Sequence, residues 1–477
     1  MLFAQMISHH AASYPGRPAV ILADRIVTYG MLEAGIGLAA ERLAAGGLRP
    51  GDVAGIVVAN PARHLALIYA LYRLGVPSVS LRGAGDAATP GLDLTVLVTD
   101  AAADTSLRQV VVDDAWFAEA PEGAPPAPRE TPFGPDDVWR IALSSGTTGV
   151  PKPVWFSPRQ SDARMATYIL SLGAAGGWDR VVCPFGLFIG WGAETALVAL
   201  AQGKSLLFPQ SARETLQMIS VFSGDVLMCS TNHLQTLLDL QREGFTPLPS
   251  LRQVYSGGAP FSPQLIAEVQ AKICGKVVFG FGTTEVGAVT LAPVDRLPVL
   301  SGATGYVWPW IEMEIVDEAG SVLPAGEEGV MRIRSPQQGW FGDRPRPGAP
   351  PGPDLPWFYP GDRALMQPDG MVVVTGRVSE IINIGGVKLP PDLIEMTIRS
   401  HPLVADAGAI GAPSPAGIDE IRVAVVARGP VSEAELAAHL TARVPGVHGC
   451  RIVFVDAVPR TGSGKAVRPA LRALLGA

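Results

Sequence analysis

The sequence has few charged residues and few cysteines for its length. Only 17% of its 477 residues are Asp, Glu, Lys or Arg, whereas 48% are hydrophobic. The formal net charge of −7 excludes a general attraction to nucleic acid or to an anionic membrane surface. The four cysteines include no C-x-x-C pair and the seven histidines show no metal-ligand spacing, which argues against a disulfide framework and a structural zinc site. Any anionic ligand must therefore be held by a local site.

Long uninterrupted hydrophobic runs are also missing. The one stretch of membrane length, residues 181–203, carries Glu194 near its middle together with Pro184 and several glycines, so we interpret it as buried core. No Lys or Arg precedes Arg17, and the basic region of a signal peptide is therefore lacking. We expect a cytoplasmic protein.

The length and the patterning predict two domains. A chain of 477 residues exceeds what one hydrophobic core usually supports. Helical patterns alternate with short β-rich runs near the N-terminus, which predicts a parallel sheet covered on both faces. The helical patterns span residues 31–45 and 61–74, and the β-rich runs span residues 53–59, 76–81, 94–99 and 109–112.

A separate α/β pattern begins near Ser379. Strands at 405–410, 421–426 and 451–455 flank a helix that opens with a capping box from Ser432 to Glu435. We therefore predict an N-terminal domain of residues 1–378 and a C-terminal domain of residues 379–477.

The most informative segment is residues 141–154, IALSSGTTGVPKPV. An apolar strand end runs into hydroxyls, flexible glycine backbone and an ammonium group, and such a loop can bind phosphates. The candidate phosphate ligands are Ser144, Ser145, Gly146, Thr147, Thr148 and Lys152. The loop is not a Walker A motif, because Val150 and Pro151 separate Gly149 from Lys152. Taken alone, an ordinary Ser/Thr/Gly turn would have the same composition.

The run SSGTTGVPK resembles the phosphate-binding signature of the AMP-forming adenylating enzymes, a superfamily of acyl-CoA synthetases, peptide-synthetase adenylation domains and luciferases. Five further segments follow in that family's order, and together they span residues 144–468. The resemblance implies an α/β multidomain fold, with a large N-terminal domain of α/β sheets plus a small β-barrel part. A small, mobile C-terminal α/β domain would act as the lid.

Residues 256–260, SGGAP, resemble the turn against which the adenine ring packs. The resemblance implies that Gly258, Ala259 and Pro260 contact the nucleotide, where glycine lets a flat ring approach the backbone. A plain strand-to-helix turn would look the same in isolation.

Residues 280–287, GFGTTEVG, resemble the family's aromatic-Gly-x-Thr-Glu segment, with Phe281 in place of the commoner Tyr. The resemblance implies nucleotide contacts from Phe281, Gly282 and Thr283, and it assigns Thr284 to the α-phosphate and Glu285 to Mg²⁺. A hard cation favours a carboxylate and phosphate oxygens, which suits this assignment. A surface glutamate after a turn is the alternative.

Residues 357–362, WFYPGD, resemble the family's W-F-x-T-G-D, with Pro360 replacing the usual Thr. The resemblance places Asp362 and Arg377 at the ribose. An ionised carboxylate at a fixed turn can accept both hydroxyls of a ribose diol.

The last two segments resemble the hinge and the lid lysine. Ser379 stands at the hinge, where other members carry Asp or Lys, and Gly385 and Gly386 would line the approach of the CoA thiol. Residues 459–468, PRTGSGKAVR, place Lys465 on a glycine-bounded turn, where its ammonium group would bridge the attacking carboxylate and the α-phosphate. Alone, Lys465 would be an ordinary solvated lysine.

The acid pocket is expected from the resemblance around small and apolar residues. These are Phe188, Trp191, Gly192, Ser256, Gly257 and Gly287. The family's gating histidine is missing from residues 184–192, PFGLFIGWG, so the gate is different or absent. The lack of an acidic residue in 181–193 argues against an α-amino acid substrate, because a buried ammonium needs a carboxylate partner.

We interpret the chain as an AMP-forming carboxylic acid–CoA ligase. Mg²⁺ is the implied cofactor, and ATP, CoA and a small carboxylic acid are the implied substrates. Two alternatives stay open: transfer of the acyl group to the pantetheine thiol of an acyl carrier protein, and a degenerate nucleotide-binding protein without catalysis. The sequence leaves the acid and the oligomeric state undetermined.

Overall fold

The computed structural model describes residues 2–117, 132–144, 151–173, 177–242, 244, 248–259, 261, 263–297, 302–341, 345, 355–378, 380, 382–384, 387–413, 419–444, 447, 449–461 and 464–476. Within these residues the chain folds into two large sheets, a smaller C-terminal sheet and short hairpins, with helices on the sheet faces.

The first large sheet contains the predicted N-terminal strands. These are β3 (Ala54–Val57), β4 (Ser78–Ser80), β5 (Val96–Thr99), β6 (Arg108–Val111), β7 (Arg140–Ser144), β8 (Lys152–Phe156) and β20 (Trp340–Phe341). Their hydrogen-bonded order in the described residues is β20-β8-β7-β4-β3-β5-β6, with parallel pairing from β7 to β6 and antiparallel pairing at β7-β8-β20. The parallel sheet predicted from strand and helix alternation is therefore confirmed.

The second large sheet has a parallel part and an antiparallel part. The parallel strands are β1 (Pro18–Ile21), β9 (Arg180–Val182), β10 (Ser205–Leu207), β11 (Val226–Ser230), β12 (Gln253–Gly257) and β13 (Val277–Gly280), with β2 (Ile26–Thr28) antiparallel at the edge. The antiparallel strands are β16 (Thr290–Pro293), β17 (Ala303–Val307), β18 (Glu312–Val316), β19 (Gly329–Arg334), β21 (Asp362–Met366) and β22 (Met371–Arg377). The order in the described residues is β18-β19-β21-β22-β17-β16-β13-β12-β11-β9-β10-β1-β2.

The antiparallel part surrounds a core of its own. It corresponds to the expected β-barrel part, and the described residues show it as a continuation of the second sheet. One short hairpin, β14 (Gly282–Thr283) with β15 (Gly287–Ala288), adjoins it, whereas a second, β23 (Ile382–Ile384) with β24 (Val387–Leu389), packs on the C-terminal core.

Helices fill the space between the two large sheets and cover the outer face of the second sheet. The N-terminal helices are α1 (Leu2–Ser13), α2 (Tyr29–Ala45), α3 (Pro61–Arg73), α4 (Pro158–Gly173), α5 (Gly190–Ala201), α6 (Ala212–Phe222), α7 (Thr231–Arg242) and α8 (Pro263–Lys272). The main core buries α2, α3 and α5 between the sheets, and α6, α7 and α8 pack on the far side of the second sheet. Residues 181–203, interpreted as buried core, form β9 and α5 inside the protein.

The C-terminal α/β pattern is confirmed. A three-stranded sheet is formed by β25 (Val404–Pro413), β26 (Asp419–Ala427) and β27 (Arg451–Phe454), and it is packed by α9 (Pro391–Arg399), α10 (Glu433–Thr441) and α11 (Arg468–Leu474). Half of the predicted capping box is present: the Ser432 side chain accepts a hydrogen bond from the amide of Glu435, whereas Glu435 Oε1 lies 3.3 Å from His401 Nε2.

Candidate active site

The carboxyl ends of three parallel strands bring two predicted segments together. In the register of β11, β12 and β13, Ser230 lies beside Gly257, which lies beside Gly280. A Cβ atom on Gly257 would lie 2.6 Å from the carbonyl oxygen of Gly280, so this close approach requires glycine. The two turns that follow β12 and β13 therefore share one sheet edge, which is where open α/β sheets bind ligands.

The predicted adenine turn begins on buried β12. The hydroxyl of Ser256 is buried and has no hydrogen-bond partner among the described residues. Gly258 follows with φ of +86°, a conformation that favours glycine, and Ala259 is half-buried. Pro260 lies outside the described residues.

The predicted phosphate and metal segment is a tight hairpin. Gly282 and Thr283 pair with Ala288 and Gly287, and a Cβ atom on Gly282 would lie 2.6 Å from the carbonyl oxygen of Gly287. The Thr283 hydroxyl oxygen accepts a hydrogen bond from the amide of Val286 at 3.1 Å, which closes the turn. The hairpin thereby presents Thr284 and Glu285 at its tip, and Phe281 packs behind it against the antiparallel core.

A buried ion pair supports this hairpin from behind, and the sequence analysis did not predict it. Arg164 of α4 pairs with Glu194 of α5, with Nε 2.6 Å from Oε1. The same guanidinium donates to the carbonyl oxygens of Thr284 at 3.2 Å and Glu285 at 3.4 Å. A charged residue inside the apolar run 181–203 signalled that a counter-charge was needed. The sequence could not identify Arg164 as that counter-charge, because Arg164 lies on a different helix.

Asp362 and Arg377, which the resemblance placed at the ribose, form an ion pair with each other. They are opposite each other on β21 and β22, and Arg377 Nε lies 2.7 Å from Asp362 Oδ1. Asp362 is buried, and its Oδ2 has no hydrogen-bond partner among the described residues. Burial raises the pKa of Asp362, while the charges of Arg377 and Lys465 oppose that shift. One carboxylate oxygen is therefore held by Arg377, and the other is a buried acceptor without a hydrogen-bond partner among the described residues.

Lys465 lies close enough to Asp362 and Arg377 for its charge to interact with theirs. Burial lowers the pKa of Lys465, and Arg377 acts in the same direction, whereas the carboxylates of Asp362 and Glu285 oppose it. The carbonyl of Gly464 accepts a hydrogen bond from the side chain of Asn232 on α7 at 2.8 Å. The C-terminal turn is thus docked over the sheet edge, and the structure brings Lys465, Asp362, Arg377 and Glu285 together.

The predicted phosphate-binding loop is described only at its ends. Ser144 and Lys152 face each other across the β7-β8 pair, and the Ser144 hydroxyl donates to the carbonyl of Lys152 at 3.3 Å. Ser144 is buried, while Lys152 is exposed. Between them, Ser145, Gly146, Thr147 and Thr148 lie outside the described residues, as do Ser379, Gly385 and Gly386 of the predicted hinge and thiol passage.

The residues predicted for the acid pocket divide into two groups. Trp191 lies against Gly257, since a Cβ there would be 3.8 Å from its ring, and Gly192 packs on the backbone of Gly186. Phe188 instead lines a cavity between α4, α5 and the first sheet. Gly287 lies against the guanidinium of Arg164, because a Cβ atom on this glycine would lie 3.1 Å from the arginine Cζ.

A histidine does reach this region, although residues 184–192 contain none. The ring of His233, from α7, packs edge-on against Phe185 with centroids 5.2 Å apart, and Phe185 stacks on Trp191. Burial lowers the pKa of His233, which favours the neutral ring. The sequence signal was weak: a histidine three residues after a buried strand end.

Other chemistry is not evident in the part of the chain that the structure describes. Its residues contain no group of three or more His, Cys, Asp or Glu side chains arranged to hold a metal. None of its helices has both the length and the apolar character needed to cross a membrane.

A half-paired buried carboxylate, an arginine and a lysine, close to the turns that follow the parallel strands β11 and β13, are groups that can bind a nucleotide. A family model described as AMP-binding enzyme matches residues 7–339, and one described as AMP-binding enzyme C-terminal domain matches residues 393–465. The chain belongs to this family of AMP-binding enzymes.

Relatives and solved structures agree with the family. 4-Coumarate–CoA ligase 2 of Oryza sativa subsp. japonica is 28% identical over 410 residues, covering 78% of this chain and 70% of that protein. Fatty acid–[acyl-carrier-protein] ligase ScoC of Streptomyces coeruleorubidus is 26% identical over 515 residues, covering 98% and 95%. O-Succinylbenzoate coenzyme A synthetase (MenE) from Bacillus subtilis, in complex with ATP and magnesium ion, has a TM-score of 0.84 and 25% identity, covering 98% and 99%.

These findings confirm the predicted α/β multidomain fold and the predicted class, an AMP-forming acid–thiol ligase. ATP and magnesium are present in the MenE complex.

Proposed function

We propose that the protein activates a carboxylic acid with Mg·ATP, giving acyl-AMP and pyrophosphate, and then transfers the acyl group to the thiol of CoA. The observation that carries the proposal is the convergence of Lys465 with Asp362, Arg377 and Glu285 at one sheet edge. In the first step a carboxylate oxygen attacks the α-phosphorus, and the bond to pyrophosphate breaks. In the second step the thiolate attacks the acyl carbonyl and releases AMP.

Asp362 is suited to bind the ribose of ATP. Arg377 neutralises Oδ1 and fixes the carboxylate, while Oδ2, unpartnered among the described residues, lacks the hydrogen bond that a buried acceptor needs. A ribose hydroxyl would supply it. Gly258 and Ala259 would then lie along the adenine, with Pro260 as the remaining residue of that turn.

Glu285 is suited to hold Mg²⁺ together with the phosphates. Its carboxylate forms no ion pair among the described residues, and it lies at the hairpin tip beside Thr284. Mg²⁺ commonly takes one or two protein carboxylates and completes its shell with substrate phosphates and water. When bound, the metal would neutralise charge on the departing pyrophosphate. Thr284 would hydrogen-bond the α-phosphate, and Ser144, Lys152 and the loop between them would hold the outer phosphates.

Lys465 would stabilise the first transition state. Its ammonium group, docked over the site through Gly464 and Asn232, can balance charge on the attacking carboxylate and the α-phosphate. For the second step we assign residues 1–378 and 379–477 to two domains that rotate about Ser379. Rotation would withdraw Lys465 and bring Gly385 and Gly386 to the thiol path.

A carrier protein is the second candidate acceptor. It is supported by the match to ScoC, a ligase named for an acyl carrier protein, which covers almost all of this chain. The cytoplasmic location also stays a prediction.

One assay separates these alternatives. Pyrophosphate release is measured with ATP and a panel of carboxylic acids, first alone and then with CoA or a pantetheinylated carrier protein. We expect acid-dependent pyrophosphate release and an acyl thioester with CoA. Thioester only with the carrier protein would favour the second acceptor. Binding of ATP without pyrophosphate release for any acid would indicate a degenerate enzyme.

A further inference from the structure

A buried arginine next to the site has no acidic partner among the residues that the structure describes. Arg140, the first residue of β7, is only 7% exposed. Its guanidinium donates to the hydroxyls of Ser78, at 3.0 Å, and Ser80, and it forms no ion pair with any described carboxylate. A buried charge held only by neutral hydroxyls is unfavourable, because attraction to an opposite charge does not offset its desolvation.

The groups behind Arg140 do not supply the missing negative charge. His64 bonds the carbonyl of Val58 through Nδ1 at 3.0 Å and the hydroxyl of Ser80 through Nε2 at 2.7 Å. Nδ1 must carry the proton to bond a carbonyl, so Nε2 accepts from Ser80, and the Ser80 oxygen is left to accept from Arg140. Burial lowers the pKa of His64 to about 4, so the ring is neutral at physiological pH.

Arg140 lines a cavity of about 50 Å³. A water molecule needs about 10–15 Å³ on this measure, so the cavity has room for several heavy atoms. Most of its wall is apolar and includes Phe156, Met165 and Phe188. The other charged residues of the described wall are Arg164 and Glu194, which neutralise each other. Among the described residues, the cavity therefore holds one unbalanced positive charge.

The cavity adjoins the segment where the acid would be activated. Its wall includes Gly190, and a Cβ atom there would lie 3.9 Å from Cγ2 of Thr284. Arg164, also in the wall, donates to the carbonyl of Thr284. An acid that places its reacting carboxylate at Thr284 would therefore lie next to this cavity.

We propose that the acid substrate carries a second carboxylate, and that Arg140 binds this distal carboxylate in the cavity between α4, α5 and the first sheet. This inference rests on the proposed function, since it names the substrate class of the same site. The small cavity selects a short dicarboxylic acid over a long-chain acid. A carboxylate would supply Arg140 with a charge-assisted, bidentate partner.

The test compares matched acids by pyrophosphate release. The pairs are succinate with butyrate, glutarate with pentanoate, adipate with hexanoate and isophthalate with benzoate. The monomethyl esters of glutarate and adipate serve as analogues that keep the reacting carboxylate but have no charge at the distal end. We expect at least one diacid to exceed both its monoacid and its ester by about ten- to hundredfold in kcat/KM, the effect of hydrogen bonds to a charged group.

Arg140→Met should abolish this preference by raising KM for the diacid, so that the diacid and its matched monoacid are used with similar kcat/KM. Arg140→Lys keeps the charge and should retain part of the preference. Arg108→Met is the matched control, because Arg108 also begins a strand of the first sheet but lies at its exposed edge. It should leave the preference unchanged.

Calorimetry with the best diacid and no ATP provides a readout that does not need turnover. Binding of the diacid to the wild type and its loss in Arg140→Met would support the inference, even if no acid releases pyrophosphate. Absence of pyrophosphate release with every acid would overturn only the proposed function. Equal use of diacids and monoacids, with no effect of Arg140→Met, would overturn the inference and leave the proposed function standing. The inference would also be overturned if no diacid bound, or if Arg140→Met bound the diacid as well as the wild type.

Discussion

Arg377 Nε lies 2.7 Å from Asp362 Oδ1, while Asp362 Oδ2, buried in the same carboxylate, has no hydrogen-bond partner among the described residues. The two residues face each other across the β21-β22 hairpin. This half-satisfied carboxylate lacks one hydrogen bond, and we propose that a hydroxyl of the nucleotide supplies it.

Asp362→Ala should weaken ATP binding by about ten- to hundredfold, because hydrogen bonds to a charged group contribute roughly 1.5–3 kcal/mol. Isothermal titration calorimetry with ATP measures the change. The matched control is Asp369→Ala, since Asp369 is an exposed carboxylate at the other end of the same hairpin. An unchanged dissociation constant for folded Asp362→Ala would place the nucleotide elsewhere.

Lys465→Ala should block formation of acyl-AMP and leave thioester formation from supplied acyl-AMP nearly intact. The reason is that the proposed mechanism uses the ammonium group in the first step only. Single-turnover assays of each half-reaction measure the two effects, and Lys272→Ala, at an exposed helical lysine, is the control. Equal loss in both half-reactions would exclude the two-orientation mechanism.

The first half-reaction should slow at alkaline pH. Burial lowers the pKa of Lys465 from 10.5, so its positive charge is present below the shifted pKa and is lost as pH rises through it. The decline should begin at a lower pH than for an ordinary lysine. A pH profile of single-turnover adenylation tests this, with Lys465→Arg as comparison: its residual activity should lack the alkaline decline. The same pH profile in both proteins would assign the alkaline decline to a group other than Lys465.

Glu194→Gln should destabilise the protein by about 3–5 kcal/mol, because it leaves Arg164 buried without its partner. Chemical denaturation of the N-terminal core reports the change. The double variant Arg164→Met/Glu194→Gln should recover much of the stability, since neither charge of the pair remains, but it should still slow adenylation because the carbonyls of Thr284 and Glu285 lose their donor. Full activity in the double variant would contradict a supporting role for the pair.

Local patterns predicted the elements that depend on neighbouring residues. The spacing at 31–45 and 61–74 gave helices because an apolar face recurs along one segment, and the capping box at Ser432 needs only a residue three positions away. The meeting of Asp362, Arg377 and Lys465 was expected through the family resemblance, since no local pattern contains it.

Contacts between residues far apart in the sequence could not be predicted from local patterns. Glu194 could be recognised as a charge in an apolar run, but its partner Arg164 lies on a helix whose position depends on the whole sheet. His233 reaches Phe185 only because β11 and β9 are neighbours in the sheet. The roles of Ser145 to Thr148 stay predictions, as does the hinge at Ser379.

The most direct measurement of the central claim follows oxygen from the acid to AMP. The enzyme is incubated with ATP, CoA and an accepted acid labelled with ¹⁸O in its carboxylate, and the nucleotide product is analysed by mass spectrometry. Attack of the carboxylate on the α-phosphorus, followed by thiolysis of acyl-AMP, transfers one labelled oxygen to AMP. We predict AMP with one ¹⁸O and unlabelled pyrophosphate. Unlabelled AMP, or ADP with label in phosphate, would contradict an adenylate-forming mechanism.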